Sequence, residues 1–242
     1  MRITVNGLDQ DITYDRHMVE EVLVPRLSRW IEGSAGRGRR FAFLVAPPGA
    51  GKSTLGLLLE RSLTPRLQCL GIDGFHRYQR DLDRLTMVDD HGRKVPMADR
   101  KGAPETFDVM RLEGLIRQSL SEDVIWPVYD RRRHDPTEDG VPVSADHVLL
   151  EGNWLLLDEP PWSRLRRYAD LVIYVHADED LVHERLVARK VLGGMDRSAA
   201  EDFYLHSDRA NVRRVLTRSH IESADVLLEL GADGLLTERT GS

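Results

Sequence analysis

Short apolar runs alternate along this chain with longer stretches in which apolar residues recur every three or four positions. The apolar runs lie at residues 41–46, 67–72, 147–150, 170–175 and 225–230. The stretches with helical spacing lie at about 52–63, 108–120, 178–192 and 198–217. Nearly continuous apolar runs are typical of strands buried on both faces. Their alternation with helices predicts an α/β fold, a three-layer α/β/α domain around a parallel five-stranded sheet.

The first part of the chain follows a different pattern. Residues 2–5 and 8–14 flank Asn6-Gly7, a dipeptide typical of a two-residue hairpin turn. Helical spacing follows from His17 to about Glu32, with Pro25 as a kink, and residues 33–40 form a glycine-rich connector. We therefore predict an N-terminal hairpin-and-helix appendage over residues 1–33 and a larger domain over residues 34–242.

Two long segments, 75–107 and 126–143, interrupt the alternation of strands and helices. Both are charged and rich in proline, glycine and aspartate. Loops of this length inside a compact domain usually carry function, so we expect these two to hold a ligand.

Composition narrows the class of protein. With 242 residues, 41% of them hydrophobic and 31% charged, the chain has an ordinary globular balance. A net charge of −6 disfavours nucleic acid or an anionic membrane as the main partner. The single cysteine, Cys69, leaves no intramolecular disulfide, and no apolar run approaches 18 residues. We expect a cytoplasmic protein.

The stretch 41–54, "FAFLVAPPGAGKST", ends an apolar run in a loop almost without side chains. Such a loop lets backbone N–H groups surround an anion at the start of the following helix. Lys52 can reach the outer phosphates and the Ser53 hydroxyl can ligate Mg²⁺, as in a P-loop. Ala46 replaces the first glycine of that pattern, which requires a negative φ at Ala46. The predicted nucleotide-binding residues are Pro48, Gly49, Ala50, Gly51, Lys52, Ser53 and Thr54, together with Arg185 farther along the chain.

Two carboxylates follow the second and third predicted strands. In doubly wound sheets ligands bind at the carboxyl ends of strands, so Asp73 and Glu151 are expected near the phosphates. Asp73 can accept the proton of an attacking hydroxyl, or it can simply cap the Asp-Gly turn. Glu151 can hold Mg²⁺, or it can form a salt bridge at the sheet edge.

Three arginines lie around a glycine pair. Arg185 and Arg189 share one helix face, Gly193-Gly194 follows the helix, and Arg197 lies beyond it. This pattern predicts a hinged lid whose arginines offset the charge that develops during phosphoryl transfer. A solvated basic helix face is the alternative interpretation.

In these motifs the chain resembles the phosphoribulokinase/uridine kinase/bacterial pantothenate kinase group of P-loop kinases. The matching stretches are "APPGAGKST", "IDGFH", "PETFD", "PVYDRRRH" and "EGNW". Within the group the chain is most similar to bacterial proteins labelled nucleoside/nucleotide kinase-like or fructose transport system kinase. The resemblance covers residues 41–230 and makes residues 34–242 a kinase domain.

The resemblance implies a nucleoside monophosphate kinase-like sheet with strand order 2-3-1-4-5. It implies ATP and Mg²⁺ as cofactors, Asp73 as general base and Glu151 as a metal residue. Arg189 and Arg197 would act from the lid, and the adenine would rest near residues 219–224. The implied acceptor-binding residues are Asp73, His76, Lys101, Phe107, Tyr129, Arg131 and His134.

We therefore predict an ATP-dependent kinase that phosphorylates a hydroxyl of a small polar metabolite. A sugar such as fructose is the first expectation, and a uridine-like nucleoside or pantothenate is the alternative. An ATP-binding regulatory protein without transfer activity would need neither Asp73 nor the polar loops. A GTPase switch would need an N-K-x-D motif, which the sequence lacks. The N-terminal hairpin could pair across a homodimer axis or cover its own sheet edge.

Overall fold

The structure, a computed structural model, describes residues 2–5, 8–11, 15–88 and 92–239. The strands are β1 (Arg2–Val5), β2 (Leu8–Asp11), β3 (Arg40–Val45), β4 (Leu67–Gly71), β5 (Thr86–Val88), β6 (Lys94–Pro96), β7 (Ile125–Asp130), β8 (Asp135–Pro142), β9 (His147–Glu151), β10 (Ala169–Ala177), β11 (Val226–Leu230) and β12 (Leu236–Glu238). The α-helices are α1 (Val24–Ser34), α2 (Lys52–Leu63), α3 (Gln79–Leu82), α4 (Val109–Ser119), α5 (Glu179–Leu192), α6 (Arg197–Phe203) and α7 (Arg209–Arg218).

The central sheet has six strands in the order β12-β11-β10-β3-β9-β4. The five from β11 to β4 are parallel, and β12 joins β11 antiparallel. Numbered along the chain, the parallel strands have the order 2-3-1-4-5, which confirms the expected fold. β12 is an addition that the sequence analysis did not include.

Both faces of the sheet are covered, as the apolar strands require. In β3, Ala42 and Leu44 point into one hydrophobic cluster with α1, α2 and α5, whereas Phe41 and Phe43 point into a second with α4 and residues 154–165. The result is three layers, with the carboxyl ends of the parallel strands meeting at one edge.

The N-terminal segment forms the expected hairpin and helix. β1 pairs with β2 with Val5 opposite Leu8, while the turn residues Asn6 and Gly7 lie outside the described residues. The helix begins as a π-helical segment, His17–Leu23, and continues as α1, where Pro25 occupies the first turn. The Val24 N–H donates to the Val19 carbonyl oxygen, so the helix continues through the junction, and Pro25 lacks an N–H of its own to donate. The boundary at residue 33 and the role of the hairpin in a homodimer stay predictions.

The two long segments contain hairpins. β5 pairs with β6, and β7 pairs with β8. The turn after β4 packs directly on β7, because a Cβ on Gly74 would lie 2.0 Å from the Pro127 carbonyl oxygen. This close approach brings the residues of β7 beside Asp73. Among the described residues, no helix is both long and apolar enough to cross a lipid bilayer.

Candidate active site

The loop between β3 and α2 has the backbone that an anion cradle requires. Gly49 and Gly51 adopt left-handed φ angles of 85° and 89°, which favour glycine. Ala46 has a negative φ, since His134 is the one non-glycine with a positive φ in the described part of the chain. Gly51 is the N-terminal cap of α2. The loop amides and the helix dipole therefore share one position, as the P-loop pattern predicts.

Glu151, at the end of β9, lies against the first residues of α2. The Ser53 hydroxyl donates a hydrogen bond of 2.8 Å to Glu151 Oε1, and Lys52 Nζ lies 3.8 Å from Oε2. Burial and the charge of Asp73 raise the pKa of Glu151, and Lys52 and the Ser53 hydrogen bond offset part of that rise. A hydroxyl and a carboxylate in contact are the oxygen ligands that Mg²⁺ prefers, so these residues fit a magnesium site.

Asp73 opens the short turn after β4, and its Oδ2 lies 3.2 Å from an Arg131 nitrogen. Burial would raise the pKa of Asp73, but positive charge outweighs it and lowers the pKa. This charge comes from His76 at acidic pH, where its ring is protonated, and from Lys52, Arg131 and Arg189. Burial lowers the pKa of His76, so its imidazole is neutral at pH 7. The lysine and the two arginines therefore keep Asp73 ionised.

A cavity of about 510 Å³ extends from Asp73 and Glu151 along β7. Trp126, Tyr129 and Arg131 form part of its wall. Its lining includes no residue of the loop 46–54, so it lies beyond the phosphate cradle. Asp73 thus stands between the cradle and a space large enough for a small metabolite.

His76, Phe107 and Tyr129 form an aromatic cluster beside Asp73. The His76 ring lies 3.9 Å from the Phe107 ring and 5.2 Å from the Tyr129 ring, between centroids. His76 Nδ1 donates to the Asp73 carbonyl oxygen over 2.8 Å, because a carbonyl can only accept. Burial and the charges of Asp135 and Asp73 raise the pKa of Tyr129 to about 12, so its hydroxyl stays a hydrogen-bond donor.

Lys101 and His134 brace the turn between β7 and β8. Lys101 Nζ donates to Gln79 Oε1 over 2.9 Å and to the His134 backbone carbonyl, and lies 5.5 Å from the centre of the Tyr129 ring. His134 has a φ of 54° and an exposed side chain. The structure therefore places Lys101 beside the Tyr129 ring and bonds it to the His134 backbone, and neither predicted residue lines the 510 Å³ cavity.

The three predicted lid arginines lie in three different places. Arg189 is near enough to Asp73 for its charge to lower the carboxyl pKa. Arg185 lines a second cavity of about 140 Å³ together with Lys52 and Thr54 of the P-loop. Arg197, at the start of α6, lies 3.8 Å from Glu201 and its side chain is 77% exposed. Gly194, between α5 and α6, has a φ of 95°.

The far wall of this second cavity was not predicted from the sequence. Asp15 and Val19 line it from the N-terminal segment, and Leu236 lines it from β12. Ile221 and Ala224, in the segment 219–224 where the resemblance implied the adenine, pack against the sheet face opposite α2. The position of the adenine stays a prediction. β12 pairs with β11 across the short turn 231–235, and Asp233-Gly234 in that turn is the sequence signal that could have found this hairpin.

Comparisons with known proteins agree with this geometry. The model of the phosphoribulokinase/uridine kinase family matches residues 43–233. An uncharacterized protein of Escherichia coli (strain K12), YggC, is 39% identical over 97% of both chains. A candidate uridine kinase of Schizosaccharomyces pombe is 26% identical over 77% of this chain and 81% of its own. The crystal structure of a candidate fructose transport system kinase from Silicibacter sp. TM1040 is similar with a TM-score of 0.72, at 29% identity over 82% of this chain and 96% of that chain.

Proposed function

The chain belongs to the phosphoribulokinase/uridine kinase family of small-molecule kinases, and from this membership we propose that it transfers the γ-phosphoryl group of ATP to a hydroxyl of a sugar-like metabolite. One observation carries the proposal. The Asp73 carboxylate stands at the boundary between the P-loop cradle and the 510 Å³ cavity.

Different residues of the cradle bind the phosphates and the metal ion. The backbone amides from Gly49 to Thr54 and the Lys52 ammonium hold the phosphates, while Ser53 and Glu151 hold Mg²⁺. Bound Mg²⁺–ATP would supply the phosphoryl group together with a cation that offsets its negative oxygens. The hydrogen bond between Ser53 and Glu151 supports this assignment because it aligns two oxygen donors in advance.

Asp73 acts as the general base. It is ionised at neutral pH, and it accepts the proton of the acceptor hydroxyl while the cradle holds the phosphates in line. Arg189 is placed to offset developing charge, and Arg197 would join it after a rotation of α6 about Gly193 and Gly194.

The aromatic cluster favours a sugar over a nucleoside. A nucleoside kinase needs an open aromatic face for the base, but Phe107 is buried and its ring already contacts His76. Tyr129, by contrast, lines the cavity as a donor suited to hydroxyl groups. The structural likeness to the candidate fructose transport system kinase supports the same choice. Uridine and pantothenate remain the alternative acceptors.

The substitution Asp73→Asn tests the proposed reaction. It removes the base and keeps the shape, so kcat should fall by about 10²–10⁴-fold, while the Kd for Mg²⁺–ATP should change less than about threefold. Product formation from fructose, uridine and pantothenate gives the rate, and calorimetry gives the Kd.

Full activity in this variant would show that another group takes the proton. Tight ATP binding without product from any acceptor would instead favour the ATP-binding regulatory protein.

A further inference from the structure

Arg131 holds the proposed general base in a pair that a ligand can reach. Its guanidinium lies 3.2 Å from Asp73 Oδ2, and the two side chains are 44% and 49% exposed. Ion pairs with this much exposure contribute little net free energy, so the pair can exchange partners. Arg131 also lines the 510 Å³ cavity in which the acceptor would bind.

The pairing with Arg131 makes Asp73 a weaker base, since a cation beside a carboxylate disfavours uptake of a proton. A neutral acceptor offers the guanidinium no negative charge in exchange for Asp73. A carboxylate or phosphate on the acceptor does, because both match the planar fork of arginine in geometry and charge.

We propose that Arg131 binds an anionic group of the acceptor and thereby releases Asp73 to accept the proton of a neighbouring hydroxyl. The acceptor class is then a hydroxylated metabolite with a carboxylate or phosphate, such as a sugar acid or a sugar phosphate. The inference rests on the proposed kinase function and narrows its substrate.

The other charges of the cavity are consistent with this assignment. Arg132 lines the same space as Arg131. Glu151 is engaged by Ser53 and Lys52, and Asp130 accepts hydrogen bonds of 2.8 Å and 3.2 Å from the backbone N–H groups of the two residues after Arg131. Glu151 and Asp130 therefore face the cradle or the turn, and the guanidinium groups of Arg131 and Arg132 are the positive charges on the wall of the cavity.

Matched pairs of ligands test the charge requirement. Gluconate and sorbitol differ in a carboxylate, and fructose 6-phosphate and fructose differ in a phosphate. We expect at least one charged member to bind about tenfold or more tightly than its neutral counterpart by calorimetry without ATP. Preference for gluconate would identify a carboxylate, and preference for fructose 6-phosphate would identify a phosphate.

The variant R131Q should weaken binding of the preferred anion by about tenfold or more and leave the neutral ligand unchanged. R133Q is the matched control, because the Arg133 side chain is 78% exposed and directed at Asp130. It should bind the anion as the unaltered protein does.

Equal affinities within both pairs, no binding of either anion at millimolar concentration, or an unchanged affinity in R131Q would overturn the inference. Binding of the anion that depends on Arg131, without phosphoryl transfer to it from ATP, would instead contradict the proposed function and leave the anion site standing.

Discussion

Two carboxylates that sense the charge of Lys52 in the P-loop have pKa values displaced in opposite directions. The Glu151 side chain is only 15% exposed, so burial dominates and raises its pKa. Asp73 is half-exposed and surrounded by cations, which lower its pKa. The two carboxylates therefore suit different roles. Glu151 is a metal ligand whose negative charge a bound cation would stabilise, and Asp73 is a base whose negative charge the neighbouring cations already stabilise.

These opposite shifts predict opposite effects on stability. The folded chain holds the Glu151 proton more tightly than the unfolded chain, so stability is lost as the pH rises above about 4.5. Glu151→Gln should therefore raise the free energy of unfolding at pH 7 by about 0.5–2 kcal/mol, with a smaller gain at pH 5. The Asp73 charge contributes stability that is present above its ordinary pKa of 3.8 and lost as the pH falls through its lower folded value. Asp73→Asn should therefore lower the free energy of unfolding at pH 7.

Urea unfolding of the ligand-free proteins at both pH values gives these free energies. A loss of stability at pH 7 in the Gln variant would mean that the contacts of Glu151 with Lys52 and Ser53 outweigh the cost of burying its charge.

Among the elements of the fold, the P-loop packs closely against α5. A Cβ on Gly49 would lie 3.1 Å from both Leu186 Cγ and the Val182 carbonyl oxygen of α5. A Cβ on Gly51 would have open space around it. Both glycines have left-handed backbone angles, but only Gly49 is in close contact with α5.

This difference makes Gly49→Ala and Gly51→Ala a matched pair. Each alanine should cost about 1–2 kcal/mol for its left-handed φ. Gly49→Ala should cost roughly 1–3 kcal/mol more, because the added methyl group displaces α5 or the loop. Urea unfolding without nucleotide measures both losses, and equal losses would show that α5 yields without cost.

The elements that the sequence predicted correctly are those with a strong local pattern. The helix over 52–63 has the predicted bounds because both signals for it lie within the segment itself. These signals are the helical spacing of its apolar residues and the glycine at its N-terminal cap. The single helix expected over 198–217 is instead interrupted by a π-helical segment, Tyr204–Asp208, which apolar spacing does not signal. The β5–β6 hairpin and β12 were missed because each of these strands has only three residues, too few to show an alternating pattern. The Asp233-Gly234 turn before β12 was a local signal that was not used.

The candidate site was predictable to a similar extent. Asp73 and Glu151 could be identified because they directly follow strands of a parallel sheet. The pairing of Arg131 with Asp73 could not, because three consecutive arginines look alike in sequence and only the turn after β7 decides which one faces the base. The orientation of Arg197 toward Glu201 depends in the same way on the placement of α6.

In the molecule as a whole, the two ends of the chain join on the P-loop side of the sheet. Asp15 Oδ2 accepts a hydrogen bond of 3.0 Å from the Leu236 N–H, and Arg26 lies 2.7 Å from Glu238. All four of these residues lie outside the family-matched range 43–233. The buried apolar side chains of the N-terminal helix that join the α2 cluster are Met18, Val19, Leu23, Leu27 and Ile31.

This packing bears on whether residues 1–33 are an appendage in the thermodynamic sense. Burial of each of the five side chains contributes about 1.5–3 kcal/mol, or roughly 8–15 kcal/mol together. Since whole domains are stable by about 5–15 kcal/mol, a chain that starts at residue 34 should show no cooperative unfolding. Leu27→Ala in the full chain should cost about 2–5 kcal/mol, whereas Arg26→Ala should cost less than about 1 kcal/mol because its ion pair is partly exposed. Thermal unfolding followed by circular dichroism measures the stability of the truncated chain and of both variants. A truncated chain that unfolds cooperatively near the full-length Tm would show that residues 1–33 are an appendage, as the sequence predicted.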